Sequence, residues 1–140
     1  MSDRVIELFL FDVLVAILKI EEVSKKFNNA DDLKHDFMAW DTTIREFEII
    51  GEATNHLIDS SILENDSRKV VDFRNILIHH YFGIDEDAVW SVIHDYLSEF
   101  KNLIITKSKD IDTNLRTELV KDLCDENAHL LFVVNILEQI

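Results

Sequence analysis

The chain contains no proline, only two glycines and a single cysteine among its 140 residues. Without proline and with so little glycine, helices can run for many turns without a residue that breaks them. One cysteine cannot form an intrachain disulfide, so a disulfide-stapled fold is excluded and a reducing compartment is expected. Long uncharged apolar runs are also missing. Glu7, Asp12 and Lys19 interrupt the most apolar stretch, residues 5–20, which is shorter than a membrane span needs.

Basic residues are scarce as well. The chain has 14 lysines and arginines against 28 aspartates and glutamates, which gives a formal net charge of -14 at pH 7. Such a field repels nucleic acid at long range and argues against non-specific binding to it, whereas a basic partner is attracted. The first residues also lack the basic, apolar and small-residue segments of a signal peptide. We therefore expect a cytoplasmic protein without a membrane segment.

Hydrophobic residues make up 47% of the chain, enough for one domain with a core of its own. Their periodicity predicts an all-α fold, an antiparallel helical bundle. Helices are predicted at about 2–27, 32–60, 67–82, 86–106 and from residue 113 onwards, the last as one long helix or two shorter ones. We assign residues 1–107 to the bundle and residues 108–140 to a C-terminal helical extension packed on the same domain.

Two of these helices have patterns that predict close packing. The first is apolar around most of its circumference, which predicts burial on two sides and indicates that a partner subunit covers part of it. The second repeats a mainly apolar set of residues from Leu33 to Ile58 at alternating spacings of four and three, as in a bundle seam. Gly51 lies in that seam and would let a neighbouring helix approach closely.

The chain is organised around the segment from Arg74 to Tyr81 in the third helix. On a helical projection, His80 falls on the apolar side expected to face the core, where we predict a buried and hydrogen-bonded imidazole. Arg74, Asn75 and His79 fall on the other side, among apolar residues, which is unusual for a surface that meets only solvent. This mixed side therefore predicts a surface that contacts another molecule.

The end of the third helix and the start of the fourth are predicted from two residues. Gly83 suits the left-handed position just past a helix end, so the third helix is predicted to end near Phe82. Asp85 suits the N-cap of the fourth helix, with acidic residues in its first turn. His79 would then lie in the last turn or so of the third helix.

Arg74 and His79 are a suitable pair for phosphodiester chemistry. Histidine can take the 2′-hydroxyl proton or give one to the leaving oxygen, while arginine neutralises the charge that develops on phosphorus. That scheme requires no metal ion. On one helix the two residues are about 140° and five rises of about 1.5 Å apart, so one protomer offers one proton carrier. In a twofold dimer, the motifs of the two subunits can face each other across a cleft, which then contains two arginines and two histidines.

Plainer interpretations of these residues stay open. Arg74 could form an ordinary salt bridge to one of many carboxylates, His79 could be a surface residue, and Tyr81 could serve packing. Asn75 lies within about 40° of His79 and could orient its ring or hold a phosphate oxygen.

Two weaker candidate sites lie elsewhere in the sequence. Glu48, Glu52 and His56 share one helix face at i, i+4 and i+8, which could bind a metal ion but is also typical of a solvated or salt-bridged face. A cationic path for RNA could be extended by three lysines, Lys101, Lys107 and Lys109.

The segment from Arg74 to His79-His80-Tyr81 resembles the signature of HEPN-domain ribonuclease toxins, an arginine, four residues, a histidine, any residue and a tyrosine. The resemblance is specifically to the HepT family. Residues 49–53 are similar to its second-helix motif, and residues 81–90 to the segment that follows its active site. The similarity covers roughly residues 3–105. Residues 108–140 and the strong acidity depart from the family pattern.

The resemblance implies a HEPN-type bundle that acts as a homodimeric, metal-independent endoribonuclease within a toxin–antitoxin module. Arg74 and His79 would be the catalytic pair, with Asn75 in support. Tyr81 would be the site where a cognate MntA-type nucleotidyltransferase antitoxin adds AMP. The substrate would be tRNA or mRNA, and no cofactor is implied. The alternative is a non-catalytic HEPN interaction module that binds a nucleotidyltransferase or another protein.

Overall fold

The computed structural model describes residues 5–80 and 83–140, and this part of the chain contains eight α-helices and no β-strand. The all-α prediction is thereby confirmed. The helices are α1 (Leu8–Ser24), α2 (Ala30–His35), α3 (Phe37–Asp59), α4 (Arg68–His79), α5 (Glu86–Asp95), α6 (Leu97–Lys109), α7 (Thr113–Glu126) and α8 (Leu131–Leu137), with a 3₁₀ turn at Asn65–Ser67. None of the helices in these two ranges combines the length and apolar character that a membrane crossing requires.

Helix α1 lies at the centre of the bundle. Phe11, Val13, Leu14 and Ile17 are fully buried, and the helix packs mainly against α3, then against α6, α8 and α5. These residues of α1 are therefore buried within a single chain and do not need a partner subunit to cover them. The C-terminal segment returns across the bundle, so the chain itself supplies the second cover.

The C-terminal segment forms two helices rather than one. Val133 and Leu137 of α8 are fully buried, whereas α7 contributes no fully buried residue and lies on the outside. The division into a bundle of residues 1–107 and an extension of residues 108–140 stays a prediction.

The second predicted helix is divided by Asp36. Its backbone is extended (φ −96°, ψ 101°), which ends α2, and its carboxylate accepts the Ala39 N–H at 3.0 Å, which caps α3. Because the chain leaves helical geometry here, Phe37, the second residue of the predicted seam, is 73% exposed, whereas its first residue, Leu33, is fully buried. An N-capping aspartate competes well with a continuous helix, and the periodicity alone did not reveal it.

The fourth predicted helix is also two helices. Asp85 caps α5 as predicted, accepting the N–H groups of Asp87 at 2.9 Å and Ala88 at 3.4 Å. The chain then turns at Tyr96, whose backbone (φ −125°, ψ −43°) separates α5 from α6.

Candidate active site at the α3–α4 crossing

Gly51 and Arg74 form the closest approach between α3 and α4. Gly51 is buried, and a Cβ atom placed on it would overlap the Cβ of Arg74 and lie 2.5 Å from its Cγ and 3.2 Å from its Nε. The missing side chain of Gly51 therefore leaves the space that the stem of Arg74 occupies. This confirms the prediction that Gly51 lets a neighbouring helix approach closely.

Arg74 has no anionic partner in the described part of the chain. Its Nε is buried without a hydrogen-bond partner, and no carboxylate of the described residues forms an ion pair with it. Lys34 and Lys101, by contrast, pair with Glu86 and Glu21 at 2.9 and 2.8 Å. In a chain with 28 acidic residues, an unpaired half-buried arginine is notable because an unsatisfied charged group is costly. The salt-bridge interpretation of Arg74 is not what the described residues show.

The hydroxyl of Thr54 is the second buried polar group without a partner among the described residues. Thr54 follows Gly51 by three residues, so both lie on the side of α3 that faces α4. Two buried polar groups without a described partner thus come from the two helices at this crossing.

His79 is the last residue of α4 and is exposed, as is Asn75 one turn earlier. Arg74 and His79 therefore stay on one helix, about 140° apart around its axis. The stem of Arg74 lies against α3, while His79 lies at the free end of α4. One chain does not bring the two side chains onto a common face.

His80 is not a core residue, contrary to our prediction. Helix α4 ends at His79, three residues earlier than predicted, and the backbone of His80 has already left it (φ −112°, ψ 52°). The helical projection therefore does not apply to His80, whose side chain is exposed. The prediction of a left-handed backbone at Gly83 was also wrong, because no described glycine has a positive φ. Gly83 instead donates its N–H to the carbonyl of His80 at 3.1 Å.

Apolar side chains surround the exposed end of α4. Ile76 is 54% exposed and Ile78 is 42% exposed. Residues two apart are about 160° apart around a helix, so the two isoleucines add apolar area to different sides of α4. Tyr81 and Phe82, which follow in the sequence, lie outside the described residues.

Lys34 anchors the segment that follows α4, and sequence reasoning missed it. Its ammonium group donates to the carbonyl of Ile84 at 3.3 Å and to the carboxylate of Glu86 at 2.9 Å. The hydrogen bond from Lys34 lowers the pKa of Glu86 below its usual value. These partners are 50 and 52 residues away, so no local pattern could have indicated the contact.

The alternative metal face does not form a ligand set. The His56 ring stacks on Phe9 with ring centroids 4.5 Å apart, and the cavity of about 330 Å³ beside it is also lined by Arg45, Glu48 and Glu52. In residues 5–80 and 83–140, no three histidine, cysteine, aspartate or glutamate side chains are grouped to hold a metal ion.

The predicted cationic path is interrupted at its first member. Lys101 is bonded to both carboxylate oxygens of Glu21, at 2.8 and 3.0 Å. Lys107 and Lys109 lie in the last turn of α6.

Comparisons with known proteins identify the family. The chain matches the family model described as ribonuclease HepT-like over residues 13–106, a range that contains Gly51, Arg74 and His79. A protein of Methanocaldococcus jannaschii, named as a candidate RNase, is 31% identical over 110 residues, which cover 72% of this chain and 94% of the relative. A probable ribonuclease HepT of Thermococcus cleftensis is 32% identical over 99 residues, 66% of this chain and 86% of the relative.

A further relative shows that the similarity continues beyond the bundle. Another candidate RNase of Methanocaldococcus jannaschii is 27% identical over 132 residues, which cover 92% of this chain and 98% of the relative. Coverage of that extent reaches past residue 107 into the C-terminal segment. No solved structure matches the chain significantly. The family match over residues 13–106, together with these relatives, establishes that the chain belongs to the HepT-like family of HEPN ribonucleases.

Proposed function

We propose that this ribonuclease cleaves RNA internally and without a metal ion, at a cleft formed by α4 helices of two facing subunits. The observation that carries the proposal is Arg74, whose Nε is buried without a partner and which forms no ion pair with the described carboxylates. A phosphate oxygen is the natural acceptor for such a guanidinium group, since arginine binds phosphate with several parallel hydrogen bonds.

The proposed reaction is a transesterification in which the 2′-oxygen replaces the 5′-oxygen on phosphorus. His79 of one subunit takes the proton of the 2′-hydroxyl, and the 2′-oxygen attacks the adjacent phosphorus. His79 of the second subunit gives a proton to the leaving 5′-oxygen as its bond to phosphorus breaks. Arg74 neutralises the charge on the phosphorus oxygens, and Asn75 holds one of them or orients the imidazole. The products are a 2′,3′-cyclic phosphate and a 5′-hydroxyl.

A homodimer supplies what one chain lacks. Each chain carries one His79, whereas the reaction benefits from a base and an acid at the same phosphate. The exposed Ile78 lies about 40° from Arg74 around the axis of α4 and supplies apolar area for a contact between two copies. Its side chain would then lose contact with water when the cleft forms.

Product chemistry tests the reaction. Purified protein should cleave single-stranded RNA in excess chelator at the rate seen without chelator, and the fragments should carry 2′,3′-cyclic phosphate or 3′-phosphate and 5′-hydroxyl ends. Mass spectrometry of the fragments identifies the chemical group at each end. Fragments with 3′-hydroxyl ends would contradict the proposal. A dimer that binds a nucleotidyltransferase but leaves RNA intact would favour the non-catalytic interaction module.

We also propose that Tyr81 is the regulatory site of a toxin–antitoxin module in the cytoplasm. A cognate nucleotidyltransferase antitoxin would transfer AMP from ATP to the Tyr81 oxygen and release pyrophosphate. Tyr81 is two residues from His79 in the sequence, so the adenylate phosphate would put negative charge next to the place where the substrate phosphate binds.

The chain offers a matched control for this proposal because it contains two tyrosines, Tyr81 and Tyr96. Incubation with ATP and an MntA-type nucleotidyltransferase should add AMP to the wild type and to Tyr96→Phe, but not to Tyr81→Phe. Burial raises the pKa of the Tyr96 hydroxyl, with further contributions from Asp66 and Glu99, so Tyr96 is a poor nucleophile. Intact-mass measurement reads the result. Incorporation into Tyr81→Phe would refute the assignment.

A further inference from the structure

We propose that a cavity beside the C-terminal end of α4 holds one base of the RNA substrate, stacked on the indole of Trp40. The proposal rests on the ribonuclease function and adds a binding subsite to it. The cavity has a volume of about 300 Å³, and its lining includes Trp40, Ile44, Arg45, Glu48, Leu77 and Ile84. We call it the Trp40 cavity.

The position of the Trp40 cavity relates it to the catalytic pair. Leu77 of α4 lines it, and Leu77 lies between Arg74 and His79 in the sequence, two residues before the histidine. On α3, Gly51 is opposite Arg74, while the cavity uses residues nearer the start of the helix. The cavity and His79 are therefore both displaced from Arg74 towards the same end of α4. Around the axis of α4, Leu77 is about 60° from Arg74 but about 160° from His79, so the nucleotide whose phosphate contacts Arg74 is the one that can place its base there.

The lining of the Trp40 cavity matches the chemistry of a base. Trp40 is partly exposed, so part of its indole is open to a planar ring, and Ile44 and Ile84 add apolar contact area. No aromatic ring among the described residues stacks on Trp40. Arg45 supplies donors and Glu48 supplies acceptors, the two kinds of group that read the edges of an unpaired base. The volume is at the lower end for small-molecule sites, which suits one nucleotide.

The charge of the protein favours a base over a phosphate in this cavity. Glu48 and Asp41 contribute carboxylates to the lining, and the chain as a whole carries a net charge of -14. Binding through phosphate contacts is weakened by such a field. Stacking of a base on an aromatic ring does not depend on the sign of the field and is worth enough per base to hold RNA. An acidic ribonuclease therefore has reason to bind RNA through its bases.

Fluorescence can detect stacking on Trp40 directly, because the chain contains only Trp40 and Trp90. In the double variant Trp90→Phe, His79→Ala, Trp40 is the sole indole and cleavage is suppressed. Titration with a short single-stranded RNA should quench its fluorescence. The matched variant Trp40→Phe, His79→Ala keeps Trp90 and should show no quenching. Trp90 lies on α5, and its ring centroid is 4.1 Å from that of His94. No quenching in the first variant would overturn the proposal.

Steady-state cleavage tests the same subsite in the active enzyme. Trp40→Ala should raise KM by about 5- to 150-fold, since one lost base–aromatic stack has that effect on affinity, while kcat at saturating RNA changes little. Trp40→Phe should recover most of the loss because it retains an aromatic ring. Trp90→Phe should leave KM unchanged.

The outcomes separate this proposal from the ribonuclease function. If the wild type cleaves RNA and Trp40→Ala has the same KM, the cavity does not bind a base but the function stands. If Trp40→Ala shifts the protein from dimer to monomer in analytical ultracentrifugation, the cavity belongs to the contact between two copies, and the base subsite is wrong. If the wild type leaves RNA intact, the proposed function fails, and the quenching titration still decides whether Trp40 binds a base.

Discussion

Alanine at Arg74 or at His79 is expected to reduce RNA cleavage by about 10²- to 10⁴-fold, and a dimer that joins one wild-type subunit to one His79→Ala subunit is expected to lose most of the activity as well. The first effect follows from losing a proton carrier or the group that neutralises phosphorus. The second follows from the composite cleft, in which His79 of one subunit acts as the base and His79 of the other acts as the acid. The mixed dimer has only one of these two proton carriers.

The mixed dimer is made by co-expressing wild-type and His79→Ala chains with different affinity tags and purifying over both tags in turn. Initial cleavage rates are then compared for the mixed dimer and the two uniform dimers at equal concentration. His80→Ala and Arg68→Ala are matched controls, since His80 is exposed beyond the end of α4 and Arg68 lies at its start. Both controls should cleave like the wild type. A mixed dimer with about half of the wild-type rate would show that each His79 acts within its own subunit.

Gly51→Ala is expected to lower both stability and cleavage, although alanine is intrinsically the better helix former by about 1 kcal/mol. The added Cβ would overlap the Cβ of Arg74, which is close to the backbone and cannot rotate away. Helices α3 and α4 must then separate, at a cost of about 1–3 kcal/mol for an overpacked core. Arg74 moves with α4, and a displacement of about 1 Å from its working position can cost about 10²-fold in rate.

The second glycine of the chain is the control. A Cβ at Gly83 would have no atom within 4 Å among residues 5–80 and 83–140, and the backbone there is not left-handed. Gly83→Ala should therefore leave cleavage unchanged and should keep or slightly raise the melting temperature, because it restricts only the unfolded chain. Thermal unfolding and single-turnover cleavage measured on both variants compare the two sites. Equal behaviour of Gly51→Ala and Gly83→Ala would mean that α3 and α4 do not approach as closely as proposed.

The reasons why some sequence predictions succeeded are local. Asp85 caps α5 as expected, because a capping carboxylate bonds to N–H groups two and three residues away. Gly51 was identified as a close-approach site because a small residue interrupts an otherwise large seam. The segment from Arg74 to His79 stands out because its polar residues lie within two helical turns of one another. The roles of Arg74, Asn75, His79 and Tyr81 stay predictions.

The predictions that failed depended on where helices end. A helical projection placed His80 in the core, but α4 ends one residue before it. The predicted helix at 32–60 is broken at Asp36, whose carboxylate caps α3 rather than continuing the seam. A periodic pattern of apolar residues does not indicate such ends, since the backbone at a cap is set by one side chain in competition with the helix.

The sequence by itself determined the all-α class, the local caps and the segment of the chain that carries the arginine–histidine pair, because helix formation and capping depend on residues within a turn of each other. Only the tertiary structure decided that α8 covers α1, that Gly51 receives the stem of Arg74, that Lys34 holds the segment after α4, and that Trp40 lines a cavity with Leu77. Each of these contacts joins residues more than 20 positions apart. Such pairings are set by how the helices cross, and no spacing along the chain encodes them.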